Sequence, residues 1–240
     1  MAELPEDLED TVRRSDPDRW LASRFITDPA QRADVIALYA FDHVLARVPF
    51  QVSEPLMGEI RLTWWSEALD EIFEGRTVRS HPAALGLAAA VRGRGLDRAP
   101  LDSLIEARMG DLEPQTFADE AAAVAYADMT AGALMQAAAQ ALGAPGALEP
   151  VRLTGRAYGL ALMAHRRAIG GKTRLPEGLQ ARRLTDEALG AARAGLKTLP
   201  LGAFPAVAYA CLSRRYARGV HLSLLEKQLR MVWATATGEL

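Results

Sequence analysis

Residues 36–50, IALYAFDHVLARVPF, and residues 52–72, VSEPLMGEIRLTWWSEALDEI, decide how this chain is read. In the first stretch Ile36, Tyr39, Ala40, His43 and Arg47 recur at three- and four-residue spacing and share one face of a helix. In the second, Ile60, Trp64, Leu69 and Phe73 fall mostly on one face of another. Between them Ser53-Glu54-Pro55 is a helix start, because a proline in the first turn gives up no helical hydrogen bond. Asp28-Pro29 starts the first of the two helices in the same way.

The same periodicity runs through nearly all of the 240 residues, broken by Pro and Gly. Helices are predicted near 17–26, 29–49, 54–75, 81–93, 99–114, 117–142, 148–169, 184–197, 203–213 and 222–235. Val, Ile and Thr runs are scarce and Asn-Gly hairpin signals are absent, so the expected fold is all-α, a single-domain helical bundle over 16–240. Residues 1–15 are expected to form a flexible N-terminal segment, and 170–184 to be the least regular internal stretch.

Half of the residues are hydrophobic and 24% charged, enough for one substantial core. A net charge of −2 argues against a nucleic-acid binder. The single Cys211 rules out an internal disulfide framework and a cysteine zinc site, and a reducing compartment is compatible. No stretch approaches the roughly 20 apolar residues of a membrane span. The acidic start, MAELPEDLEDTVRRSD, is the opposite of a secretory signal. The expected location is cytoplasmic, with peripheral contact at the inner membrane face left open.

The motifs follow the order found in squalene/phytoene synthases, and over roughly residues 16–215 the chain resembles that family. Asp18-Arg19-Trp20-Leu21-Ala22-Ser23-Arg24-Phe25 is similar to the family's N-terminal helix, and Tyr39-Ala40-Phe41 to its "YAF/YAW" segment. His81-Pro82, Gly95-Leu96, Leu104-Ile105-Glu106 and Asp111-Leu112 before Thr116-Phe117 follow in order. Tyr126 with Thr130-Ala131-Gly132, then Gly155, Ala157 and Leu160, then Arg174-Leu175-Pro176, complete the series. The resemblance implies the isoprenoid-synthase fold. In the family, two Asp-rich motifs on facing helices hold magnesium ions that neutralise a leaving diphosphate during head-to-head prenyl condensation.

Counted from Tyr39, the first pair of aspartate positions falls on Ala46 and Phe50. At the second motif the family's Gln, Asn and Asp fall on Gly159, Leu162 and Arg166, and 166–172 contains no acid. An arginine can clasp a phosphate but cannot ligate magnesium. No metal is therefore expected, no catalytic residue is assigned, and the usual prenyl transfer is not expected. The stretch 52–72 is similar to a non-catalytic branch of the family that serves assembly of respiratory complex I. The resemblance thus implies a protein partner, a complex I subunit, and an inherited cavity suited to a prenyl lipid or quinone. The alternative is a divergent prenyl transferase in which magnesium is held by Asp42, Asp111 and Asp128.

The candidate cavity residues are Asp42, His43, Arg47, Tyr126, Asp128, His165 and Arg166. His43 and His165 lie on the two helices that resemble the family's cavity walls, and Asp128 is close in sequence to the Tyr126 motif. The four histidines, His43, His81, His165 and His221, lack the close pairing of a metal helix. Arg47, Arg166 and Arg167 could instead bind a diphosphate without turning it over. Glu67, Asp70, Glu71 and Glu74 share a helix face whose ordinary role is a solvated surface. Trp64-Trp65 is expected to place one ring inside and one partly outside, with Arg61 beside them as a partner-binding candidate. The C-terminal segment interleaves Arg214, Arg215, Arg218, Lys227 and Arg230 with apolar residues. Its apolar face is expected to pack on the bundle and its basic face to approach an anionic membrane.

Overall fold

Proline stands in the first turn of several helices, and a side chain caps three of these. In a computed structural model, which describes residues 8–240, Pro17, Pro29, Pro55 and Pro82 each occupy the first turn of a helix. The carboxylates of Asp16 and Asp28 accept hydrogen bonds from the backbone N–H groups of Arg19 and Ala30, and His81 Nδ1 accepts from Ala83. The helices are α1 (Leu8–Ser15), α2 (Pro17–Ser23), α3 (Pro29–Gln51), α4 (Pro55–Phe73), α5 (Pro82–Arg94), α6 (Ala99–Met109), α7 (Glu120–Ala127), α8 (Ala133–Ala141), α9 (Leu148–Ala168), α10 (Ala181–Leu196), α11 (Pro205–Ala208), α12 (Ser213–Tyr216) and α13 (Leu224–Thr237). No strand occurs among the described residues.

Two helices organise the rest. Helix α3 buries every residue from Val35 to Asp42 and is packed by α1, α2, α4, α5, α6 and α8. Helix α9 is enclosed by α7, α8, α10 and α12. The core between them includes Leu38, Phe41, Leu45, Leu62, Leu104, Leu134, Met135, Tyr158 and Tyr209, all under 2% exposed. Such filling is what lets a domain of this size hold together by apolar burial.

A single π-helical turn, Asp128–Gly132, joins α7 to α8 and leans on α9. The approach is so close that a Cβ on Gly155 would lie 2.5 Å from the Ala131 carbonyl oxygen and 2.6 Å from Gly132 Cα. Both contacts are backbone, so glycine is required at 155.

Several expectations need correction. Residues 1–7 lie outside the described residues, but 8–15, expected to be flexible, form α1 with Val12 fully buried and Glu9 paired with Arg24. The acidic composition hid an apolar stripe, Leu8 and Val12, one turn apart. The helix expected over 99–114 stops at Met109, and Phe117 N–H donates to the Arg174 carbonyl (2.8 Å), tying the following loop to the segment after α9. The helix expected over 203–213 is divided by a 3₁₀ turn, Tyr209–Leu212. In α13 the buried residues are Met231 and Ala234, whereas Leu225, Leu229, Val232 and Trp233 are exposed. Its larger apolar face therefore points outward rather than onto the bundle.

Candidate functional site

A cavity of about 290 Å³ opens between α2, α3, α6, the α7–π turn and α9. That is near the lower end of the range for small-molecule sites. Its floor is a network of buried charges. Asp42 accepts from Arg19 Nη1 at 3.0 Å and from Arg108 Nη2 at 3.1 Å. Arg19 also reaches Asp16 Oδ2 (2.9 Å), and its guanidinium lies among the rings of Tyr39, Tyr158 and Tyr209, 5.7–5.9 Å from each centroid. Arg108 Nη1 donates to Asp111 Oδ2 (3.1 Å) and to the Tyr126 hydroxyl oxygen (2.7 Å), and that hydroxyl donates to Asp111 (2.8 Å). Arg174 completes the set, donating to Asp111 Oδ1 at 2.7 Å and stacking over Phe117 at 4.4 Å.

Burial alone would raise the Asp42 carboxyl pKa, but the Arg108 and Arg19 guanidiniums outweigh it and hold the group below its ordinary value. Burial pushes the Tyr126 phenol up to about 12, so it stays protonated and donates. Tyr39, Tyr158 and Tyr209 are likewise raised by burial. Burial raises the Asp16 carboxyl as well, against the lowering pull of Arg19.

The rim has another character. Ala46, Phe50, Gly159, Leu162 and Arg166, the five positions counted from the family's metal motifs, all line this one cavity. None carries a carboxylate. Among the described residues no group of three or more His, Cys, Asp or Glu side chains is arranged to hold a metal ion. Asp42 is committed to two arginines and Asp111 to Arg108, Arg174 and Tyr126. Magnesium prefers several hard oxygen ligands, and these residues do not fit it.

The structure places Asp42, His43, Arg47, Tyr126 and Arg166 on the cavity wall. Asp128 is not there. It faces α9 from the π turn, where Arg156 Nε and Nη2 donate to it at 2.9 and 2.6 Å and Arg152 also pairs with it. The expectation that Asp128 sits at the cavity is therefore corrected, and with it the ligand set of Asp42, Asp111 and Asp128. His165 lines an adjoining cavity of about 220 Å³ with Tyr158, Tyr216, His221 and Lys227, and stacks on Tyr216 at 4.7 Å. It does not share the His43 cavity.

On α4, Trp65 is buried and Trp64 half-buried, with the Arg79 guanidinium 4.5 Å over the Trp64 ring. Arg61 is exposed on the same helix. Glu67 and Glu71 pair with Arg79, Asp70 with Arg98 and Glu74 with Arg76. Arg19, Arg108 and Arg174 were not singled out as site residues from the sequence, although Arg19 and Arg174 stand inside quoted motifs.

The family model described as squalene/phytoene synthase matches residues 12–170. Among curated proteins, the chain is similar to "NADH dehydrogenase (ubiquinone) complex I, assembly factor 6" of Bos taurus, 29% identical over 133 residues, covering 55% of this chain and 39% of that protein. The protein of the same name from Homo sapiens is 28% identical over 133 residues, with the same two coverages. The match thus spans about two fifths of these relatives' length. Among solved structures, a dehydrosqualene synthase bound to a ligand superposes with a TM-score of 0.75 at 12% identity, over 96% of this chain and 94% of the other. A squalene synthase of Alicyclobacillus acidocaldarius superposes with a TM-score of 0.70 at 14% identity, over 96% and 92%. At these identities the likeness shows a shared fold.

Proposed function

The chain belongs to the squalene/phytoene synthase family, and from that premise we propose that it is a non-enzymatic member acting in the assembly of respiratory complex I. The observation that carries the loss of catalysis is the rim. Five positions that should present metal ligands converge on one cavity and offer two small residues, two apolar ones and a cation. Fold alone does not fix function. The assembly role is supported by the curated relatives, whose names state it.

The cavity itself serves as a binding site for a prenyl lipid or quinone. Ala46, Leu162 and Met163 give it an apolar side, and His43, Arg47 and Arg166 give it a polar one, an arrangement suited to a ligand with an isoprenoid tail and a polar or anionic head. A partner subunit is engaged through exposed surface such as that of Arg61, and the working location is the inner membrane face.

Deleting the protein in its native host, followed by native-gel separation of respiratory complexes, tests the assembly role. Reduced complex I with accumulated subassemblies is the expected result, and normal complex I sinks the reading. The purified protein incubated with farnesyl or geranylgeranyl diphosphate should release no diphosphate, with or without magnesium. Magnesium-dependent release would replace this reading with a divergent prenyl transferase. Gently purified protein should carry a prenyl lipid or quinone in native mass spectrometry, and Arg166→Glu should reduce its occupancy. No bound lipid, together with no binding of added quinones or prenols, removes the cavity ligand.

A further inference from the structure

We propose that α13, with the arginines beside it, is a docking surface for an anionic membrane, laid flat on the lipid headgroups. This deepens the membrane-face part of the reading above and rests on it only for which membrane is meant. Helix α13 has two opposed faces. One, Lys227, Met231 and Ala234, is spaced by one turn and turned inward: Met231 and Ala234 are at most 1% exposed, and Lys227 Nζ lies 2.8 Å from Asp18 Oδ1. The other, Leu225, Leu229, Val232 and Trp233, follows the same spacing on the far side and is 51–68% exposed. The inward face is anchored by a buried ion pair, so the outward face is presented in a fixed orientation.

Beside that apolar stripe a groove of about 560 Å³ between α12 and α13 is lined by Arg214, Arg215, Arg218 and Arg230, together with Leu229 and Trp233. Arg214 is engaged by Asp186. Arg215, Arg218 and Arg230 form no salt bridge among the described residues. Of the nearby acids, Glu226 accepts from the Ser223 N–H and hydroxyl, each at 2.8 Å, in the capping box of α13, and Glu239 lines the groove. An excess of arginine bordering an exposed apolar stripe matches a lipid surface, where phosphates meet the guanidiniums and acyl chains meet the leucines. Tryptophan at the boundary suits the headgroup layer. A protein partner would need its own acidic row beside an apolar groove, whereas an anionic bilayer offers both without specific shape.

The test is co-sedimentation of the full chain with vesicles of phosphatidylglycerol and phosphatidylcholine, against phosphatidylcholine alone. Binding to the anionic vesicles that falls at high salt is expected. Arg215→Glu/Arg218→Glu/Arg230→Glu and, separately, Leu225→Ser/Trp233→Ser should each weaken it at least about tenfold. Both variants change exposed or half-exposed side chains, and an unchanged thermal melt confirms that they fold. No sedimentation of the parent, or equal sedimentation of parent and both variants, overturns the proposal. So does a dimer in sedimentation equilibrium that Leu225→Ser/Trp233→Ser dissolves, without vesicle binding. Vesicle binding that persists while deletion of the gene leaves complex I intact would uphold this surface and remove the assembly role. An assembly defect without vesicle binding would do the reverse.

Discussion

The floor and the rim line one cavity and obey different rules. On the floor, Asp42 and Arg19 are buried, Arg108 is half-buried, and each charge is answered by another. At the rim, Ala46, Phe50 and Arg166 neighbour solvent, and Phe50 is 88% exposed. A buried ion network is expensive to break, because the surviving partner keeps its desolvation cost. A rim position carries no such debt. A shell of this fold can therefore exchange the ligands at its mouth while its floor remains fixed by stability alone.

The contrast is broken most directly at Asp42. Asp42→Ala removes the carboxylate shared by Arg19 and Arg108 and leaves each with one remaining acid, Asp16 or Asp111, and chemical denaturation should show a loss of about 3 kcal/mol. A loss below about 1 kcal/mol would mean that water already screens the floor. Next in size is the seam that holds one cavity wall in place. Gly155→Ala drives a methyl group into the Ala131 carbonyl, and overpacking of this kind should cost about 1–3 kcal/mol in the same assay. The π turn should shift, and Tyr126 with it.

A pH series sharpens the comparison further. Asp42 has a folded-state pKa below its ordinary 3.8, so its contribution is complete above that value and is lost as pH falls through the lower folded-state pKa. The stability gap between the parent and Asp42→Asn should accordingly be flat from pH 7 to 5 and narrow below pH 4. A gap that narrows already between pH 7 and 5 would contradict the assigned shift. The smallest effect is expected at the rim. Ala46→Asp/Phe50→Asp should change stability by no more than about 0.5 kcal/mol. It should also elicit no magnesium-dependent diphosphate release, because Gly159, Leu162 and Arg166 opposite supply no ligand. Release by this variant would show that one carboxylate pair suffices.

What could be read in the sequence follows from the range over which each feature is determined. Helix starts are local: Pro29 and Pro55 begin helices where they were expected because a first-turn proline acts within four residues. The cavity positions of Asp42, His43, Arg47, Tyr126 and Arg166 follow from helix faces once α3, α7 and α9 are set side by side. The roles of Arg108 and Arg174 depend on Asp42 and Asp111, which lie 66 and 63 residues away, so even the motif around Arg174 does not reveal its partner. Asp128 was misplaced by sequence nearness. Residues two apart on a helical path point to nearly opposite sides, so Tyr126 faces the cavity and Asp128 faces α9. In α13 two apolar faces compete, and the one that turns inward is the one whose Lys227 meets Asp18 and whose Met231 and Ala234 enter the core, contacts that no local pattern marks.

That ion pair also bears on the order in which the molecule can be completed. Asp18 receives hydrogen bonds from Tyr158 and Tyr216 and its cation from Lys227, so a carboxylate on α2 waits for partners from α9, α12 and α13. During synthesis the helices up to α9 can gather while Asp18 still needs water around it. The charge of Asp18 stays without its cation until Lys227 is in place, so the α2 end of the interior is completed by the docking of α13.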